Sequence, residues 1–94
     1  MIESFANVET EKIFNGVVSR KLPITIQKTA RRKLLYLDDA DSLHDLAAPP
    51  GNRLEALHGS RESQYSIRIN DQWRICFKWA NGKAKDVEIV DYHK

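Results

Sequence analysis

The run "VEIVDYHK" carries an apolar, strand-like pattern directly into Asp91, Tyr92 and His93, a carboxylate, a phenol and an imidazole in succession. An imidazole exchanges a proton near neutral pH, since its ordinary pKa is about 6.5. A phenol stacks on a flat ring or donates to an anionic oxygen, but with an ordinary pKa near ~10 it is a poor base unless cations sit beside it. Arg74, in the run "WRICF", adds a guanidinium that stays charged at any working pH and whose planar fork fits phosphate oxygens. Such a set suits holding an anionic centre while a proton moves. Each member also has a plain structural reading: an exposed terminal histidine, a tyrosine packed at a sheet edge, a solvent-facing strand arginine.

These side chains need a scaffold, and 94 residues allow one hydrophobic core, so a single domain over 1–94 is expected. The apolar fraction of 41% favours a packed fold over a disordered chain. Cys76 is the one cysteine and has no internal disulfide partner. The opening "MIESFANVET" has neither the cationic flank nor the apolar run of a secretion signal, so with the lone thiol a cytoplasmic location is expected. No apolar stretch approaches the ~18 residues of a membrane span, so no membrane association is expected.

Net charge is +2 and unevenly spread. Asp38, Asp39, Asp41 and Asp45 fall together, with His44 read as a surface residue among them. From Arg53 to Lys85 seven basic residues face three acids, a local excess of 7 − 3 = +4, and a second basic cluster, "KTARRK", runs from Lys28 to Lys33. Segregation of this kind fits a polyanionic partner and equally fits solvated helix and strand faces. No Cys/His cluster has zinc spacing and "PPGN" is a loop rather than a phosphate-binding glycine motif, so neither metal nor cofactor is expected.

The fold class that positions the candidates is α+β: a short N-terminal strand at "IESF", two or three helices, then a twisted antiparallel meander. Asn7 suits the cap of a first helix that stops at Gly16, and Pro23 suits the first turn of a second. Along the latter Ile26, Ala30, Leu34 and Leu37 make one apolar face, leaving Lys28, Arg31 and Arg32 outside. A short helix is possible at Ser42 to Leu46. Beyond Asn52 the period becomes 2: Tyr65, Ile67 and Ile69, then Trp73, Ile75, Phe77 and Trp79, then Val87 and Ile89 alternate with polar neighbours.

The tight Asn-Gly turn that "ANGK" invites would pair Phe77 with Asp86 and bury acids. A three-residue loop or a bulge instead sets Phe77 against Val87 and Ile75 against Ile89. Pairing Ile67 with Ile75 and Arg68 with Arg74 then leaves Arg68, Arg74, Val90 and Tyr92 on the face opposite the tryptophans, with Asn70 to Gln72 as the turn.

The stretch "RLEALHGSRESQYSIRINDQWRICF" and the ending "VDYH" resemble the HigB-type killer toxins of the RelE superfamily, through "G-x-R" at Gly59 to Arg61, "Y-S-I" at Tyr65 to Ile67, "WRI" at Trp73 to Ile75 and the final "DYH". The resemblance implies the toxin of a type II toxin-antitoxin pair: a ribosome-dependent, metal-independent endoribonuclease cutting translated mRNA by attack of the RNA 2′-hydroxyl on the adjacent phosphate. It implies as partners a helix-turn-helix, HigA-like antitoxin, the ribosome with its mRNA, and operator DNA only through the antitoxin complex. Arg74, Asp91, Tyr92 and His93 fall on the family's functional positions. Relatives carry a histidine at the position of Glu55 and a lysine at that of His58, so Glu55 and His58 join the catalytic candidates and the division of acid and base stays open. Arg53, Arg61, Arg68 and Lys78 are the expected RNA-backbone contacts. The alternative is a non-catalytic relative of the same fold, a gyrase-inhibitor-like or nucleic-acid- or protein-binding module.

Overall fold

Asn7, in extended backbone, accepts the Thr10 amide at 2.9 Å and so starts α1, Val8–Phe14, in the computed structural model, which describes residues 1–92. The helix stops at Gly16, whose φ of +79° lets the Val17 amide turn back to the Lys12 carbonyl at 2.8 Å. Pro23 stands immediately outside α2, Ile24–Asp39, rather than in its first turn. Ile26, Ala30, Leu34 and Leu37 are buried along α2, and Lys28, Arg31 and Arg32 are exposed. Ser42 and Asp45 form a reciprocal capping box that opens α3, Leu43–Ala47, so one of the clustered aspartates serves a helix start. Asp38 serves the chain's beginning, accepting the Ile2 amide at 2.8 Å.

The second half is an antiparallel sheet in the order β1, β2, β3, β4, with β1 at Glu55–Ala56, β2 at Gln64–Arg68, β3 at Trp73–Ala80 and β4 at Lys83–Asp91. Single 3₁₀ turns at Pro50–Asn52 and Gly59–Arg61 flank β1. Ile67 pairs with Ile75, Arg68 with Arg74 and Ile75 with Ile89, as the apolar alternation requires. The turn between β3 and β4 is the tight one after all: Ala80 pairs with Lys83 across Asn81 (φ +54°) and Gly82 (φ +75°). A bulge then corrects the phase. Between Cys76 and Lys78 the register shifts by one residue, and Asp86 (φ +52°) absorbs the excess on β4. Without it Asp86 and Glu88 would enter the core, whereas with it Val87 and Ile89 do.

That apolar face packs on the helices: Ile67, Ile75, Phe77, Ala84, Val87 and Ile89 join Ile13, Ile26, Ala30, Leu34 and Leu37 in one buried cluster. Phe77 is fully buried, while Trp73 and Trp79 are partly buried against the cluster. The expected strand at "IESF" takes the form of two isolated parallel bridges, Ile2 to Ala84 and Phe5 to Val87. Its effect is to close the outer edge of β4. The amides of Ala84 and Val87 reach the carbonyls of Met1 and Ser4, the Asp86 amide reaches Ser4 Oγ, and the Ile89 amide reaches Thr10 Oγ1 at 3.0 Å. An edge with its donors occupied has little to offer another chain. No helix among the described residues is long and apolar enough to cross a membrane.

Cys76 sits on the polar face as expected but is fully buried there, and burial pushes its thiol up from the ordinary range despite Arg61 and Arg74 nearby. Few thiolates form under such conditions. Iodoacetamide at pH 8 is therefore expected to modify the native protein far more slowly than the denatured chain; equal rates would contradict the buried placement. Thr10 is likewise buried, so Thr10→Val strands the Ile89 amide. Calorimetry should show a melting temperature about 5–15 °C lower, the equivalent of ~1–3 kcal/mol, with Thr10→Ser, which keeps the accepting hydroxyl, avoiding most of the loss.

Candidate active site

Arg74 is the second residue of β3, between Arg68 on β2 and Val90 on β4, and its guanidinium is held on several sides. Nε donates to Ser66 Oγ at 2.8 Å and Nη2 donates to the Arg53 carbonyl at 2.5 Å. The same Nη2 lies 3.3 Å from Glu55 Oε1, and the guanidinium carbon stands 5.9 Å from the centre of the Tyr92 ring. Only 11% of the Arg74 side chain is exposed, against 57% for Glu55. The cation is thus largely withdrawn from water while its carboxylate partner remains wet, a pair that solvent screens and an incoming anion can loosen. Nη1 is hydrogen-bonded to none of the described residues.

Local structure explains each contact. Glu55 faces Ser66 across the short β1–β2 ladder, and Ser66 and Arg74 share the polar face through the pairing of Ser66 with Cys76 and Arg68 with Arg74. Tyr92 follows β4, its amide tied to the Gln72 carbonyl at 2.6 Å, which brings the ring over Arg74. Asp91, opposite Trp73, accepts from Gln72 Nε2 at 3.1 Å, and strand alternation sets it on the other side from Tyr92. His93 lies outside the described residues. His58 is exposed just before the Gly59–Arg61 turn, with no hydrogen bond or ion pair to Arg74 or Glu55. Of the expected catalytic set, Arg74, Glu55 and Tyr92 therefore converge.

The expected RNA contacts are arranged differently. Arg61 pairs with Glu88 at 3.3 Å and donates to Gln64 at 3.2 Å; Lys78 pairs with Asp86 at 3.3 Å. Arg68 pairs with Asp71, whose carboxyl its hydrogen bond holds below the usual range. Solvent screens pairs at or near the surface such as these, so a phosphate backbone can replace the carboxylates at small cost. Arg53 enters the site by its carbonyl, not its exposed side chain. Ser66 and Asn52, both fully buried, escaped sequence reasoning. For Ser66 the signal was present: once Arg68 faces Arg74, the small polar residue two positions earlier must lie beside the arginine.

A family model described as the RelE-like toxin of type II toxin-antitoxin system HigB matches residues 3–93. Toxin HigB-1 of Vibrio cholerae serotype O1 is 43% identical over 75 residues, covering 80% of this chain and 78% of the relative. Endoribonuclease HigB of Proteus vulgaris is 30% identical over 93 residues, covering 99% of this chain and 100% of the relative. The solved YoeB-YefM complex from Staphylococcus aureus contains a chain that superposes with a TM-score of 0.62 at 15% identity, covering 100% of this chain and 99% of that one, a likeness of fold alone. The match across nearly the full length, together with the two HigB relatives, shows that this chain belongs to the HigB-like, RelE-like toxins of type II toxin-antitoxin systems.

Proposed function

We propose that this toxin is an endoribonuclease that cuts translated mRNA on the ribosome without a metal, centred on Arg74. The observation that carries the reading is a guanidinium anchored by Ser66 Oγ and the Arg53 carbonyl, with Tyr92 beside it and Nη1 hydrogen-bonded to none of the described residues. The name of the Proteus vulgaris relative, Endoribonuclease HigB, supports the same reading.

In this account the scissile phosphate seats a non-bridging oxygen on Nη1. The RNA 2′-oxygen attacks phosphorus as the bond to the 5′-oxygen breaks, leaving a 2′,3′-cyclic phosphate and a 5′-hydroxyl. Negative charge grows on the phosphate oxygens during this step, and a preorganised, poorly hydrated guanidinium stabilises that charge more than the ground state. Glu55, on the same guanidinium, accepts the 2′ proton. His93 delivers a proton to the 5′-oxygen, Asp91 orients it, and His58 is a second proton carrier. Tyr92 stacks on a neighbouring base, a common grip on single-stranded RNA. Arg61, Arg68 and Lys78 receive the backbone by exchanging their surface carboxylates for phosphates, and the exposed side chain of Arg53 adds a fourth contact. A helix-turn-helix antitoxin holds the toxin inactive in the cytoplasm, and operator DNA is reached through that complex.

Purified toxin on programmed ribosomes should generate new 5′-hydroxyl ends within translated frames. Arg74→Ala should slow that cleavage about a hundred- to a thousandfold, the scale of losing one transition-state donor, and Arg74→Lys should not restore it because the fork is gone. Undiminished scission in a folded Arg74→Ala protein would end this reading, and intact message with stalled replication would favour the gyrase-directed class. Arg61→Ala should weaken ribosome-bound mRNA binding evenly across sequences and lower the slope of log affinity against log salt by about 1, measurable by titration in increasing potassium chloride.

A further inference from the structure

The basic cluster Lys28 to Lys33 is not a uniform solvated face. Lys28, Arg31 and Arg32 point outward, but Lys33 is turned inward and only 7% exposed. Its ammonium donates to Asn52 Oδ1 at 2.5 Å and lies 5.8 Å from the Tyr36 ring centre, and no carboxylate among the described residues pairs with it. Burial pushes its pKa down, and Arg32 and Arg68 nearby add to the shift. A lysine in such surroundings works against stability unless its contact does something else.

The contact leads to the site. Asn52 is fully buried, with its Nδ2 donating to the Leu46 carbonyl at 3.1 Å, so both ends of its amide are fixed. It closes the Pro50–Asn52 turn, and the next residue, Arg53, adopts a φ of +43°. A non-glycine residue holds that left-handed conformation only where its surroundings impose it. The carbonyl of Arg53 is the acceptor for Arg74 Nη2, and Glu55 follows two residues later. Backbone pairing of this segment is short, since β1 pairs with β2 through Glu55 and Ala56, with the Leu57 amide bonded to Gln64 beyond them, while Leu54 packs against the core.

We propose that Lys33 and Asn52 form a buried latch that positions the catalytic guanidinium: the ammonium fixes the asparagine, the asparagine fixes the left-handed Arg53, and the Arg53 carbonyl fixes Arg74. Lys33 is a positioning residue that acts through Arg74 without touching substrate. The assignment rests on Arg74 being the catalytic centre.

The test is a double-mutant cycle on programmed ribosomes, using wild type, Lys33→Met, Arg74→Ala and the double variant. Methionine keeps the packed stem and removes the ammonium. Lys33→Met should lower kcat at least about tenfold with KM for the programmed ribosome changed less than about twofold, since small misplacements of a catalytic group cost rate rather than binding. The double variant should be no slower than Arg74→Ala alone, because the lysine acts only through the arginine. The Arg74 Nε resonance should shift in Lys33→Met while the amide spectrum of the core stays in place. Wild-type kcat in Lys33→Met, or losses that multiply in the double variant, would overturn the latch. Should Lys33→Met fail to fold, Asn52→Ser enters the same cycle with the same criteria. Full activity of Arg74→Ala would instead strike at the proposed function, and an unmoved Nε resonance in Lys33→Met would then strike at the latch separately.

Discussion

A guanidinium withdrawn from water must have its donors met by the protein, and the arrangement around Arg74 follows from that constraint. Ser66 on the neighbouring strand takes Nε, the Arg53 carbonyl takes one hydrogen of Nη2, and the half-exposed Glu55 lies against the same nitrogen. These acceptors come from different elements, so the site exists only when the sheet register and the turn before β1 are both correct. A charge assembled this way is rigid before any ligand arrives. Preorganisation is what makes a donor effective when charge develops in a reaction, because no dipole has to turn at that moment.

The remainder of the polar face is built on a looser plan. Arg61, Arg68 and Lys78 each carry a nearby carboxylate, and Arg68's partner Asp71 is almost fully exposed. Paired surface charges keep a toxin with a small net charge from clinging to every polyanion, while leaving cations that phosphates can recruit cheaply. The face therefore combines one fixed donor centre with exchangeable contacts around it. The helices on the other side of the sheet supply the apolar mass that keeps the strands in register, and the opening residues occupy the outer edge of β4.

Much of this was legible in the chain because its signals are local. Asn7 and Gly16 mark helix ends within a turn of the residues they serve, whereas the Ser42–Asp45 box behind the short helix expected at Ser42 to Leu46 emerges only in the fold. The register of β2, β3 and β4 followed from the alternation of Ile67, Ile75, Phe77, Val87 and Ile89, which demanded either a three-residue loop or a bulge; the fold uses the bulge and keeps the tight Asn-Gly turn. The rest escaped for physical reasons. A two-residue strand such as β1 has no period to detect, and a backbone acceptor such as the Arg53 carbonyl has no side-chain signature. Lys33 escaped for a different one. It stands three residues after Ala30 and four before Leu37, on the buried stripe of α2, but its basic neighbours made it look like part of a solvated patch. Arg61 and Glu88 meet across 27 positions, a pairing only the folded sheet creates.

On the proposed mechanism the scissile phosphate rests on Nη1 of an Arg74 held in place by Ser66 and the Arg53 carbonyl. A structure of the toxin on a ribosome carrying a message with 2′-deoxy sugar at the cut site would test it directly, since the substrate is trapped before attack. The account requires a non-bridging phosphate oxygen within hydrogen-bond distance of Arg74 Nη1, with the Arg53 and Ser66 contacts intact. A phosphate seated elsewhere, with Arg74 still engaged only by protein acceptors, would contradict it.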